Sequence, residues 1–254
     1  MTTLLATISG NLFLIFGSLV FATLSILTAW IPPRGNWVYR MARFWSKGLI
    51  GFSGVKVHLD SSSDLEAGQC FVFMSNHQSL YDIPALITTL PGQARFLAKR
   101  SLFKIPIFGW ALKAGGFVSI DRKDRSNASE SFSDAVDRLR TGASAVVFPE
   151  GTRSLDGQLL PFERGGLLLA IKSGVPIVPV GIRGSIEVRP RDSWVVRPGT
   201  IEVSYGSPIA VQEYGIRGRG DLEQEVRQQI TRLAGLQAQG FRYETVGPPL
   251  GDRK

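Results

Sequence analysis

Apolar and polar positions fall into three regimes along this chain. From Thr3 to Trp30 the sequence is dominated by Leu, Ile, Phe, Val and Ala, and no Asp, Glu, Lys or Arg occurs before Arg34. Such a run is long enough to cross a bilayer core as a helix, and Pro32 and Pro33 would stop it. From about residue 35 to 53, Trp37, Tyr39 and Trp45 are interleaved with Arg40, Arg43 and Lys47. That mixture suits an amphipathic helix at headgroup level, anchored by its rings. Beyond residue 54, short apolar runs alternate with helical stretches, the pattern of an α/β sheet. Strands are expected over 55–60, 70–74, 94–98, 116–120, 144–149, 175–182 and 194–205. Helices are expected over 82–90, 102–112, 127–141, 163–173 and 220–237, with Gly142, Gly174 and Gly240 at their ends. The tail from Gly247 to Lys254 is expected to fray.

The organisation that follows is a membrane-binding pair of helices over 1–53 and an α/β domain over 54–254, with a mixed central sheet flanked by helices. A secretory signal would want a cationic start and a shorter apolar core, and neither is present. Two arrangements of the first helix stay open: it spans, or it turns back with the second inside one leaflet. After the apolar run come Arg34, Arg40, Arg43 and Lys47, with no acidic residue before Asp60. The positive-inside rule then puts the domain on the cytoplasmic face.

Charge and cysteine usage narrow the function. The net charge is +8 in 254 residues, but the cations lie among apolar residues beside a membrane segment, which argues against nucleic acid. Cys70 is the sole cysteine, so no intrachain disulfide exists, in keeping with a reducing compartment. Its apolar strand suggests packing, and His58 reads as a solvated strand residue. With two His and one Cys no metal-ligand cluster of recognisable spacing occurs, and no cofactor is implied.

The candidate chemistry begins at Ser75-Asn76-His77-Gln78-Ser79-Leu80-Tyr81-Asp82. A buried strand leads into this turn, and Ser79 or Asp82 can cap the helix that follows. With Ser79 as cap, Asp82 sits in the first turn and can reach back to one ring nitrogen of His77, leaving the other as a base. Three further stretches stand out. Phe96 to Trp110 carries Lys99, Arg100 and Lys104 among large apolar residues. Gly116-Phe-Val-Ser-Ile-Asp121-Arg122 ends a strand with an acid and a base, read plainly as an ion-pair cap. Phe148-Pro149-Glu150-Gly151-Thr152-Arg153-Ser154 delivers five polar or small residues onto a turn. There Gly151 permits close backbone approach and Arg153 offers a planar fork suited to phosphate. Val175-Pro-Ile-Val-Pro-Val180 reads as an edge or bulged strand, or the wall of an apolar cleft.

Taken in order, these blocks resemble the glycerolipid acyltransferases typified by 1-acylglycerol-3-phosphate acyltransferase. Asn76 to Asp82 is similar to the family's His-x4-Asp block, Gly116 to Arg122 to its second, Phe148 to Ser154 to its third, and Val175 to Val180 to its fourth. One departure is Ser101, where many members carry Glu after the lysine. The hydrophobic amino-terminal helices also look like those of bacterial members. The resemblance implies acyl transfer from a thioester, acyl-CoA or acyl carrier protein, to the hydroxyl of lysophosphatidate, a membrane lipid. His77 would be the base and Asp82 its orienting partner, with Ser79 and Cys70 bystanders. It further implies that Glu150, Gly151, Thr152 and Arg153 bind the acceptor, with Lys99 a second phosphate contact. An acyltransferase for another lysolipid, such as a lyso-aminolipid, or a non-catalytic protein that sequesters anionic lipid, stays as the alternative.

Overall fold

The computed structural model describes residues 1–31, 35–61, 65, 68–120, 125–140 and 142–237. Pro32, Pro33, Asp121, Arg122, Gly240 and the 247–254 tail lie outside the described residues.

The apolar run forms one helix over Thr3–Thr28: α1 (Thr3–Leu12), a π-helical turn (Phe13–Gly17) and α2 (Ser18–Thr28). Its buried residues are small or polar, namely Ala6, Gly10, Gly17, Ala22 and Ser25. Its large side chains, among them Leu4, Ile8, Phe16, Leu19, Leu24 and Leu27, are exposed. The small face docks along the rest of the protein. Thr7 exchanges two hydrogen bonds with the backbone of Val196, and Asn11 Nδ2 donates to the Trp194 carbonyl at 2.8 Å. Phe13 fills the crossing with α3 (Asn36–Phe52): a Cβ on Gly48 would lie 2.2 Å from its ring.

Beyond α3, β1 (Lys56–Ser61), β2 (Val72–Ser75), α4 (Asp82–Thr89), β3 (Ala94–Lys99), α5 (Phe108–Ala114), β4 (Val118–Ile120), α6 (Arg125–Arg140) and β5 (Ser144–Val147) alternate. Next come α7 (Arg164–Ser173), β6 (Ile177–Arg183), α8 (Ser185–Val188), β7 (Thr200–Tyr205) and α9 (Arg219–Leu233). The seven strands run in the order β1-β7-β6-β2-β5-β3-β4, and only β6–β7 is antiparallel. This is the mixed α/β sheet expected. Both faces are covered, so β2 is apolar up to its closing Ser75: Phe71, just before it, and Phe73 join the core with Leu86 and Tyr205, while Val72 and Met74 meet Leu167 and Val226. Because β2 and β5 are parallel neighbours, the first and third blocks leave the sheet at the same end, about 4.8 Å apart.

Three expectations are corrected. The helix over 102–112 is instead a 3-10 turn (Arg100–Lys104) and α5, parted at Pro106, which cannot supply the N–H a continuous helix needs there. The strand over 194–205 starts only at Thr200. The Val175 to Val180 stretch is not at an edge: β6 lies between β2 and β7. Pro179 is tolerated because its carbonyl accepts from Gly206 N–H, on the side where the β6–β7 ladder only begins at Val180 and Tyr205.

Behind β6, a Cβ on Gly181 would sit 2.3 Å from the Leu233 carbonyl carbon of α9, a backbone contact that cannot yield by rotamer change. Gly181→Ala should therefore lower stability by roughly 1–3 kcal/mol, the usual cost of overpacking, read as a reduced midpoint in urea unfolding.

Candidate active site

The turn after β2 is held by its own backbone before any side chain acts. Asn76 imitates a strand partner, with Nδ2 donating to the Ile182 carbonyl and Oδ1 accepting from Ile182 N–H, each at 2.8 Å. The His77 carbonyl accepts from Ser154 N–H at 2.8 Å, which draws the third block onto the first.

Asp82 opens α4 with its carboxylate turned back over the loop. One oxygen, Oδ2, accepts from Gln78 N–H (2.7 Å), Ser79 N–H (2.8 Å) and His77 Nδ1 (2.8 Å). Those donors leave Nδ1–H as the protonated position of a neutral ring and Nε2 as its lone pair. Among the described residues Nε2 has no hydrogen-bond partner, and the imidazole is 15% exposed while Asp82 is fully buried. Phe148 stacks on the ring with centroids 3.9 Å apart. A rigid imidazole with one nitrogen oriented by a carboxylate and the other open can accept a proton. Ser79 does not cap the helix. Its hydroxyl donates to the Arg189 carbonyl at 2.7 Å and accepts from Tyr81 N–H, so it is occupied in holding the loop.

The third block divides by direction. Glu150, expected on the acceptor, turns inward: Oε1 accepts from His77 N–H at 2.6 Å and Oε2 from Leu160 N–H at 2.8 Å. It is 4% exposed, and burial is the main reason its carboxyl is pushed up to about 7. Its geometry is that of a bridge between the His77 turn and the 149–163 loop. Gly151 adopts φ +71°, a left-handed conformation that a side chain would strain. Thr152 is exposed. Arg153 is half-buried, with no side-chain partner among the described residues, and its carbonyl accepts from Arg191 at 2.9 Å. Lys99 ends β3, two strands from β2, exposed at the same end of the sheet without touching the others. Sequence reasoning passed over Arg189 and Arg191, which lie outside every block and reach the site only through the fold. Among the described residues no cluster of His, Cys, Asp and Glu could hold a metal.

A turn of this geometry at the carboxyl end of parallel strands defines a class of proton-abstracting sites, and comparison with known proteins narrows it. The Acyltransferase family model matches residues 56–183. A 1-acyl-sn-glycerol-3-phosphate acyltransferase of Pseudomonas aeruginosa is 30% identical over 223 residues, 86% of either chain. A chloroplastic 1-acyl-sn-glycerol-3-phosphate acyltransferase of Arabidopsis thaliana is 33% identical over 70% of this chain and 50% of its own. The chain spans about half the length, or less, of the plant relatives it matches over 140 to 180 residues. The crystal structure of the 1-acyl-sn-glycerophosphate (LPA) acyltransferase PlsC from Thermotoga maritima superposes with a TM-score of 0.77. It is 25% identical, over 93% of this chain and 98% of that one. The chain belongs to the acyltransferase family that includes the 1-acyl-sn-glycerol-3-phosphate acyltransferases.

The inward Glu150 generates a test. Because its carboxyl is raised from 4.5 to about 7 in the fold, the stability it contributes is present below about pH 4.5 and lost as pH rises through about 7. Glu150→Gln removes that dependence, so its melting temperature relative to the unsubstituted protein should be higher at pH 8 than at pH 5. A difference that does not change with pH would contradict the assignment.

Proposed function

We propose that this protein transfers a fatty acyl group from a thioester to the free hydroxyl of 1-acylglycerol-3-phosphate, giving phosphatidate. The observation that carries the reading is the His77 ring, fixed at Nδ1 by Asp82 and open at Nε2. Nε2 takes the proton of the acceptor hydroxyl as its oxygen attacks the thioester carbonyl. Asp82 holds the tautomer and stabilises the imidazolium that forms. The tetrahedral intermediate then expels the thiolate, which recovers a proton from the imidazolium. The thioester is already activated, so no enzyme nucleophile is required, in keeping with a Ser79 hydroxyl committed to Arg189 and Tyr81.

Arg153 carries the phosphate contact, as a guanidinium beside the base with no side-chain partner among the described residues, and Lys99 adds charge at the same end of the sheet. Glu150 acts on His77 through its backbone and does not touch lipid. The donor is acyl-CoA or acyl carrier protein, each drawn by the surrounding cations.

The protein works at a membrane, with its domain on the cytoplasmic face. The apolar helix over Thr3–Thr28 is tied to the domain through Thr7 and Asn11 near one end, and α2 packs against α3 and α5 toward the other. A helix so fastened lies along the domain, which favours immersion in one leaflet over a free-standing span.

Purified protein given a labelled acyl thioester and a panel of lysolipids, with products read by mass, tests the reaction. Phosphatidate should form from lysophosphatidate. His77→Ala should lower kcat by at least about a thousandfold, as expected when a general base and its orienting partner are uncoupled, while vesicle binding persists. Arg153→Ala should raise KM for lysophosphatidate about ten- to a hundredfold, the range for one charge-assisted contact. Free fatty acid formed without any acceptor would make the protein a hydrolase instead.

A further inference from the structure

Arg189 follows α8 and is 6% exposed, yet among the described residues no carboxylate pairs with it. Its Nε donates to the Ser193 carbonyl at 2.9 Å, and the guanidinium lies 5.0 Å from the centroid of the Trp194 ring. Nη1 is buried with no hydrogen-bond partner among the described residues. A guanidinium withdrawn from water without an anion is unfavourable, and an anionic ligand would offset that cost. The charges facing it do not supply one. The groups that act on it are Tyr81, which is neutral at ordinary pH, and Arg153, which repels it. Asp192 lies 3.8 Å from Arg191 instead and is largely in solvent.

The position of this charge identifies the missing partner. The Arg189 carbonyl is bonded by Ser79 of the catalytic turn, and Arg191 holds the Arg153 carbonyl. On the other side, Trp194 and Val196 are bonded to Asn11 and Thr7 of α1, whose outer face is apolar. The guanidinium therefore sits between the base and the lipid-facing helix, near Arg153, whose side chain also has no partner among the described residues. The indole of Trp194 that covers the guanidinium is itself exposed, so this side faces solvent.

We infer that Arg189 is a second prong, beside Arg153, of a receptor for the phosphate of a phosphorylated lipid that enters alongside α1. The site rests on the reading of lysophosphatidate as acceptor. An anion there neutralises a buried guanidinium that no carboxylate among the described residues faces, and it sets the glycerol hydroxyl beside His77.

The test uses the full chain with Arg189→Met, which keeps volume and packing on Trp194, and Arg189→Lys, which keeps charge. For Arg189→Met, KM for lysophosphatidate should rise about ten- to thirtyfold with kcat within about threefold and the donor KM unchanged. Arg189→Lys should recover part of that loss. The melting temperature of Arg189→Met without ligand should be equal or higher, because an unpaired buried charge has gone. A lower melting temperature with kcat and both KM values worsened together would make Arg189 structural and overturn the inference, as would a KM rise confined to the donor. Direct binding separates this site from the reaction. Should the unsubstituted protein bind lysophosphatidate without acylating it, loss of that binding in Arg189→Met sustains the receptor while the transferase reading fails. Equal binding by both proteins overturns the receptor. Weaker binding to phosphatidylglycerol vesicles with unchanged lysophosphatidate affinity would assign the charge to bulk headgroups and overturn it too.

Discussion

A single carboxylate oxygen organises the catalytic turn. Asp82 Oδ2 receives two backbone N–H groups and the imidazole N–H, so the loop conformation and the orientation of the base are one arrangement. Charge-assisted bonds of this kind are about twice as strong as neutral ones, and here they converge on a fully buried carboxylate. The sibling oxygen, Oδ1, is buried without a hydrogen-bond partner among the described residues. A carboxylate left partly unsatisfied welcomes positive charge on its neighbour, which is what His77 acquires when it takes a proton.

Further connections brace that turn against movement. Asn76 pairs with the backbone of Ile182 in β6, Glu150 grips His77 N–H from the β5 side, and Ser79 reaches the Arg189 carbonyl. These contacts come from β6, β5 and the loop after α8, so the central strands of the sheet converge on one histidine. Their burial excludes competing water, and the parallel order of β2 and β5 delivers them from the same end.

What was legible in the chain followed from local rules. An apolar strand, a polar turn and a helix opening with Asp82 are sufficient to predict the reach of that carboxylate to His77. The α/β alternation gave the mixed sheet because period and turn residues agree over most elements. The failures have a common cause in contacts distant along the chain. Glu150 turns inward because its partners are backbone N–H groups at His77 and Leu160, which carry no side-chain signature. Pro179 sits in a central strand because the neighbouring ladder begins just beyond it. Arg189 arrives beside the base through a bond to a residue 110 positions away. The small residues Ala6, Gly10 and Gly17 foretell a packed face only once α3 and the Trp194–Val196 segment are known to lie against them.

The Phe148 ring that lies flat against the imidazole has a stereochemical consequence. The Nε2 lone pair lies in the heterocycle's plane, so an incoming alcohol meets it edge-on, and the stacked phenyl group fixes which plane that is. Tilt of the heterocycle is blocked by the phenyl group, so the trajectory of approach is dictated by an apolar neighbour that takes no part in proton exchange.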